Sequence, residues 1–289
     1  MRILITGSNG QLGNEIRVLA EDYPDFEFIY TDIDELDISN PLKVDAFFTA
    51  NKPLAVINCA AYTAVDKAET DKNLAYLINC EAVMNLSKSA AKIGALMVHV
   101  STDYVFDGMN CVPYTESDPT NPQSVYGRTK LAGEEAVLKY AEKGIILRTS
   151  WLYSAFGNNF VKTMIKYGTE RDELNVVCDQ IGTPTYARDL AKAILDIIPQ
   201  AQLQPGIQLY HYSNEGVASW FDFAHVIMDL SAINCKVNPI QTKDYPVKAV
   251  RPAYSVLNKA KIKETFKINI PYWSDSVKDC ILRLKKEIN

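Results

Sequence analysis

Gly7-Ser8-Asn9-Gly10-Gln11-Leu12-Gly13 follows directly on the apolar run Ile3 to Thr6 and opens the first helical pattern, Gln11 to Glu21. A G-x-x-G-x-x-G turn between a strand and a helix constrains the fold strongly. Its glycines permit a sharp turn, a close approach of backbone to a pyrophosphate, and tight packing of helix on strand. Amides at the helix N-terminus then bind the phosphates.

The periodicity downstream agrees. Apolar strand runs at Glu27 to Thr31, Ala55 to Asn58, Met97 to Ser101 and Ile145 to Arg148 alternate with helical patterns at Leu42 to Asn51, Asn73 to Ile93 and Val125 to Lys143. Continuous apolar strands separated by helices predict a parallel sheet covered on both faces. A further unit, Asn175 to Val177 followed by Arg188 to Ile198, is expected to extend that sheet. Beyond Pro199 a loop leads into shorter elements: extended Gln208 to Tyr212, helical Trp220 to Ser231, and a last helix from Ser274 to Lys286. The expected fold class is α/β, a Rossmann-type doubly wound parallel sheet with a smaller interleaved C-terminal α/β substrate lobe. Residues 1–150 with about 174–198 make the nucleotide domain; about 151–173 and 199–289 make the lobe.

The second strand ends in Asp32, some 20 residues past the turn. An acid there hydrogen-bonds the adenosine ribose, favouring NADH at least equally with NADPH. The loop Ile33-Asp34-Glu35-Leu36 supplies no arginine for a 2′-phosphate, and Arg17 is the alternative residue to reach one. Tyr126-Gly127-Arg128-Thr129-Lys130 is a Y-x-x-x-K pair on one helical face. A free tyrosine titrates near pKa ~10, and a neighbouring ammonium stabilises its phenolate. Such a phenol donates a proton to a carbonyl oxygen while hydride reaches the carbon. The fourth strand ends Ser101-Thr102-Asp103, and ligands of open parallel sheets bind beyond the strands' carboxyl ends. Thr102 is therefore expected to polarise the substrate oxygen beside Tyr126.

Net charge is -5 over 289 residues, which argues against nucleic acid or an anionic membrane as the main partner. The six cysteines form no C-x-x-C pair, so neither a zinc site nor a disulfide framework is expected. Their place in apolar runs suits a reducing compartment, and the strand beginning at Ile3 leaves no room for a signal peptide. The expected address is cytoplasmic, with no metal.

Further blocks carry a resemblance. Asn58-Cys59-Ala60-Ala61-Tyr62-Thr63-Ala64-Val65-Asp66, Ser101 to Gly108, Tyr126 to Glu134, Arg148 to Tyr153, Gly157-Asn158-Asn159-Phe160, Asp179 to Thr185 and Arg251-Pro252 occur in this order. With the glycine turn they resemble the dTDP-4-dehydrorhamnose reductase family of the extended short-chain dehydrogenase/reductases over nearly the whole chain. The resemblance implies NADPH- or NADH-dependent reduction of the C4 ketone of dTDP-4-dehydro-L-rhamnose. It implies cofactor contacts from Gly7, Asn9, Gly10, Gln11, Leu12, Gly13, Asp32, Asp37, Ile38, Ala60, Ala61, Thr63, Tyr126 and Lys130. It also implies Thr102, Tyr126 and Lys130 as the catalytic set, with Thr102, Asp103, Trp151 and Arg251 as contacts to the dTDP-sugar.

Two other readings stand beside this one. A nucleotide-sugar epimerase or dehydratase shares the fold, but dehydratases carry a second acid after the catalytic threonine, where this chain has Tyr104. A non-catalytic nucleotide-binding regulatory subunit has no need of an intact Thr102, Tyr126 and Lys130. Some members of the resembled family hold magnesium at a dimer interface through glutamates. Glu15 matches one of these, with the other reading of a solvated helix residue paired with a nearby cation, and Arg188 stands where another is expected. A guanidinium does not ligate magnesium, so the expected assembly is a monomer or a metal-free homodimer.

Overall fold

The computed structural model describes residues 1–288, with side chains through Lys286. Six strands form one parallel sheet: β1 (Arg2–Thr6), β2 (Glu27–Thr31), β3 (Ala55–Asn58), β4 (Leu96–Thr102), β5 (Gly144–Thr149) and, after the separate strand β6 (Glu173–Val177), β7 (Ile207–His211). Their spatial order is β7-β5-β4-β3-β1-β2. The chain reverses direction across the sheet between β1 and β3, and such a switch point opens a crevice at the strands' carboxyl ends. Register brings Thr6, Thr31 and Asn58 level there, and pairs Thr102 with Thr149.

The apolar strands are explained by cover on both sides. Ile3, Ile5, Ile57, Val98 and Leu147 pack under helices α1 (Gln11–Leu19) and, later in the chain, Ala187–Ala201. Leu4, Val56, Met97 and Ile146 face the opposite layer, α2 (Pro41–Asn51), α3 (Ala82–Lys92) and α4 (Val125–Tyr140). The predicted helix from Asn73 to Ile93 is one helical stretch interrupted by a π turn at Leu77–Glu81. A second core gathers Tyr153, Val161, Leu174, Phe223, Trp273 and Val277 around α5 (Phe160–Glu170), α7 (Trp220–Ser231) and α9 (Trp273–Ile288), while α6 (Ala187–Ala201) and α8 (Ala260–Phe266) pack on the first core. Ser219 and Asp222 form a capping box at the start of α7, fixing where that helix begins.

One expectation is corrected. β6 does not extend the main sheet but pairs in parallel with β8 (Lys236–Ile240). Its Glu173 and Asn175 are exposed while Leu174 and Val176 are buried, and a strand apolar on one side only does not fit a sheet covered on both. The sixth place goes to β7, paired from Ile207↔Gly144 to His211↔Arg148. The helix of that predicted unit, α6, does pack against α1.

Candidate active site

The glycine turn is shaped by what a side chain would strike. Gly7 has φ +65°, and a Cβ there would sit 2.6 Å from the Ala60 backbone. At Gly13 it would sit 2.5 Å from Ser8 Cα, so the helix lies directly on the turn. Gly10 is the N-cap of α1, with no side chain capping the first amides. Those uncapped donors are free for an anion, and the cradle fits a pyrophosphate. Beside it, the Asn9 amide donates to Asp32 Oδ2 at 3.0 Å. Arg17 stands nearby, its guanidinium 4.7 Å from the Tyr30 ring centroid and 3.4 Å from Ser8 Oγ. Asp37 accepts from the Ser39 amide and hydroxyl, which lowers its pKa, and Ile38 packs at the edge of the α2–α3 layer.

A cleft of about 540 Å³ opens at the carboxyl ends of the strands. Gly10, Gln11, Leu12, Ala61, Thr63, Thr102, Asp103, Tyr126, Lys130, Trp151 and Arg251 all line it. Gly7, Asn9, Gly13, Asp32, Asp37, Ile38 and Ala60 lie outside the lining, as the frame of the glycine turn and the ends of β2 and β3.

Tyr126 and Lys130 come from the first turns of α4, whose N-terminus is fixed by Ser124 accepting from the Gly127 amide and Glu69 from the Val125 amide. Burial raises the Tyr126 phenol's pKa above its ordinary value, and the neighbouring Thr102 hydroxyl pulls it back. Lys130 Nζ donates to the Val100 carbonyl at 2.7 Å, and burial brings its pKa down to about 8. Thr102 Oγ1 donates to Asp103 Oδ1 at 3.0 Å and accepts from the Tyr104 amide. The Asp103 carboxyl is buried, which pushes its pKa up to about 6 against the pull of the nearby Ser255 and Thr102 hydroxyls, and its Oδ2 makes no close hydrogen bond. Behind these residues Arg148 holds Glu134 in a buried two-pronged pair, and Ser101 Oγ donates to the same carboxylate at 2.5 Å.

The opposite wall is aromatic. Trp151 has φ +48°, rare for a bulky residue, and its indole stacks on Trp220 at 3.6 Å and 9°. A Cβ at Gly182 would lie 2.7 Å from that indole, which explains a glycine in the Asp179 to Thr185 segment. Trp151 also packs against the second core, and its backbone strain makes it a candidate ligand contact. Arg251 donates to Asp66 Oδ2 at 2.8 Å and to the Tyr104 hydroxyl at 3.2 Å. It also borders a side pocket of about 220 Å³ lined by Phe160, Asn175, Gln180, Trp220 and Tyr245.

The model of the family described as the RmlD substrate binding domain matches residues 1–286. The chain belongs to the dTDP-4-dehydrorhamnose reductase family. It is 42% identical to the dTDP-4-dehydrorhamnose reductase of Aggregatibacter actinomycetemcomitans, covering 96% of this chain and 97% of that one. The Escherichia coli K12 dTDP-4-dehydrorhamnose reductase is 41% identical, with 96% of each chain covered. The crystal structure of a dTDP-4-dehydrorhamnose reductase from Clostridium acetobutylicum superposes with a TM-score of 0.94 at 47% identity, covering 99% of this chain and 100% of that one. That of Bacillus anthracis, solved in complex with NADP, has a TM-score of 0.93 at 39% identity, covering 98% and 99%.

Within this family the chain departs from the magnesium pattern that the resemblance raised. Glu15 is not solvated: it is fully buried on the inner side of α1. It accepts from Ser154 Oγ at 2.6 Å and from Arg283 at 3.0 Å, with Arg188 at 3.7 Å. A carboxylate so deep needs such partners, and two guanidiniums around it do not fit a divalent cation. Among the described residues no helix is long and apolar enough to cross a membrane.

Sequence reasoning gave no role to several cleft residues, among them Tyr104, Ser150, Gly157 and Asn158. The Gly157 to Phe160 block carried a legible signal: Gly157 has φ +64°, and Asn159 caps α5 while donating to Gln11 Oε1 at 3.0 Å. Trp220 is one of the aromatic residues of the C-terminal lobe, with Tyr210, Tyr212, Phe221, Tyr272 and Trp273, a composition expected to pack around a sugar, and of these six it is Trp220 that lines the cleft.

Proposed function

We propose that the chain reduces the C4 ketone of dTDP-4-dehydro-L-rhamnose to dTDP-L-rhamnose, with Thr102, Tyr126 and Lys130 as the reacting set. One observation carries the reading: a single cleft is lined both by the uncapped glycine turn Gly10–Leu12 and by Thr102, Tyr126 and Lys130. Relatives at about 40% identity bear the reductase name over nearly their whole length.

The reduced nicotinamide cofactor supplies the hydride when bound. Gly7, Gly10 and Gly13 leave room for its pyrophosphate, with Asp32 and Arg17 flanking the ribose end. Tyr126 gives its phenolic proton to the ketone oxygen as that oxygen gains charge, and Thr102 holds the same oxygen by its hydroxyl. The Lys130 ammonium stabilises the phenolate left behind. Asp103 Oδ2, buried without a close hydrogen bond, takes a sugar hydroxyl, because an unmade buried bond costs about 1–3 kcal/mol. Trp151 and Trp220 form an apolar wall for the sugar face. Arg251 meets the diphosphate, and the side pocket receives the base between Trp220 and Tyr245, with the Asn175 and Gln180 amides at its edge. Arg188 and Arg283 hold Glu15, so the assembly is a monomer or a homodimer made without metal. The cytoplasm, where sugar nucleotides and reduced cofactor are both supplied, is the proposed location.

The test is loss of reduced-cofactor absorbance with the 4-keto-rhamnose nucleotide set against the 4-keto-glucose nucleotide. Turnover of the first alone is expected. Equal turnover of both, or exchange without net oxidation of cofactor, would move the assignment to an epimerase or dehydratase.

A further inference from the structure

One buried residue near the reacting set has no part in the mechanism above. His99 is fully buried in the middle of β4. Its Nδ1 lies 3.1 Å from Asn58 Nδ2, and its Nε2 lies 3.5 Å from Lys130 Nζ. Gly133, one turn of α4 beyond Lys130, lies against the same nitrogen, although what a Cβ there would strike is the Asn79 carbonyl at 2.2 Å.

The hydrogen-bond directions fix the protonation pattern. The Ala60 backbone N–H, a donor only, donates to Asn58 Oδ1 at 3.2 Å, and the Thr6 hydroxyl donates to the same oxygen at 2.7 Å. The amide is thereby oriented with its NH2 toward His99, so Nδ1 must offer a lone pair. Burial lowers the imidazole's pKa well below the usual histidine value, and the ring is neutral. A neutral ring that accepts at Nδ1 carries its hydrogen on Nε2. That N–H faces Lys130 Nζ, which as an ammonium also has only hydrogens to offer.

We propose that His99 is a positioning residue: held in the Nε2–H tautomer by Asn58 and the Ala60 amide, it weakens the hold of Lys130 on its proton. The neutral amine of Lys130 accepts from Nε2–H and still donates to Val100, whereas the ammonium meets a like dipole. The other titratable or charged groups facing Lys130 are Glu134 and Tyr126 on its own helix. Glu134 favours the ammonium, but its oxygens are engaged by Arg148 and Ser101. His99 therefore adds to burial in lowering the pH at which the ammonium is lost, and with it the alkaline limit of proton delivery by Tyr126. The proposal rests on the reading of Tyr126 and Lys130 given above.

Nitrogen-15 NMR of the wild-type chain, which needs no turnover, tests the tautomer by itself. A proton on His99 Nε2 is expected, and a proton on Nδ1 overturns the proposal whether or not the reductase reading holds. Two variants then test the consequence. His99→Leu removes the opposing N–H. Asn58→Asp draws the proton to Nδ1 and leaves Nε2 to accept from the ammonium. Both are expected to move the alkaline limb of kcat/KM upward, by about one pH unit or tenfold in rate beyond the limb, with Asn58→Asp moving it further. Folded variants that lose activity equally at every pH, or whose limb stays in place, overturn the proposal and leave His99 a packing residue.

Discussion

The two walls of the cleft are built differently. The cofactor wall comes from contiguous chain: β1, the glycine turn and α1 lie within residues 2–19, and β2 and β3 supply the neighbouring strand ends. The wall proposed for the sugar is gathered from distant segments, with Trp151 stacked on Trp220 and Arg251 tied to Asp66 across 185 residues. Tyr126, Thr102 and Lys130 stand at the join. The difference implies that substitutions on one wall should leave the other wall's ligand nearly undisturbed, while those at the join should remove turnover and leave both ligands bound.

The largest effect is expected at the join. Tyr126→Phe should lower kcat by about 10²–10⁴-fold with cofactor affinity close to wild type. Steady-state kinetics together with cofactor titration would check this, and a variant retaining a third of the wild-type rate would take the proton from another group. On the cofactor wall, Gly7→Ala places a Cβ 2.6 Å from the Ala60 backbone at φ +65°. A misfit of roughly 1–3 kcal/mol should weaken cofactor binding by about 5- to 150-fold. Binding of dTDP, followed by calorimetry, should change little.

Trp151→Ala is the matching probe of the sugar wall. Stacking is worth about 0.5–1.5 kcal/mol, so KM for the sugar nucleotide should rise about 2- to 10-fold while cofactor affinity holds. Cofactor choice gives a finer contrast within one wall. Asp32 disfavours a 2′-phosphate, and NADH should serve at least as well as NADPH. Arg17 is the group placed to offset Asp32, so Arg17→Ala should shift kcat/KM further toward NADH. A wild-type preference for NADPH above about tenfold would show Arg17 to outweigh Asp32.

The smallest effect concerns stability at the join. Asp103 has its folded pKa raised from 3.8 to about 6 by burial. Its protonated form is favoured in the fold, so its contribution is present below about pH 4 and is lost as pH rises through 6. Asp103→Asn should remove that part of the slope, and its Tm advantage over wild type should widen between pH 4 and 7. Parallel Tm curves for the two proteins would contradict the burial argument.

The same contrast explains what could be read from the amino acids. β1 to β5, the glycine turn and the Tyr126–Lys130 pair were legible because strand period, turn glycines and helical spacing are properties of neighbouring residues. β7 was read as an extended segment, but its place at the edge of the main sheet depends on β5, some 60 residues earlier. Glu15 looked like an ordinary surface acid on α1, because Arg283 and Ser154, which bury it, are 268 and 139 residues away. Trp220 was legible only as one aromatic among several in the C-terminal lobe, and His99 carried no local signal at all. Each is defined by what folds against it, an indole in one case and an amide-locked lysine contact in the other.

The most direct test of the two-walled cleft is a crystal structure with NADP⁺ and dTDP-L-rhamnose bound together. The account predicts the pyrophosphate on the Gly10–Leu12 amides and the sugar's C4 oxygen within hydrogen-bond distance of Tyr126 and Thr102. It places the base in the pocket bordered by Asn175, Gln180, Trp220 and Tyr245. A sugar nucleotide whose C4 oxygen lies away from Tyr126, or whose base rests against the glycine turn, would contradict it.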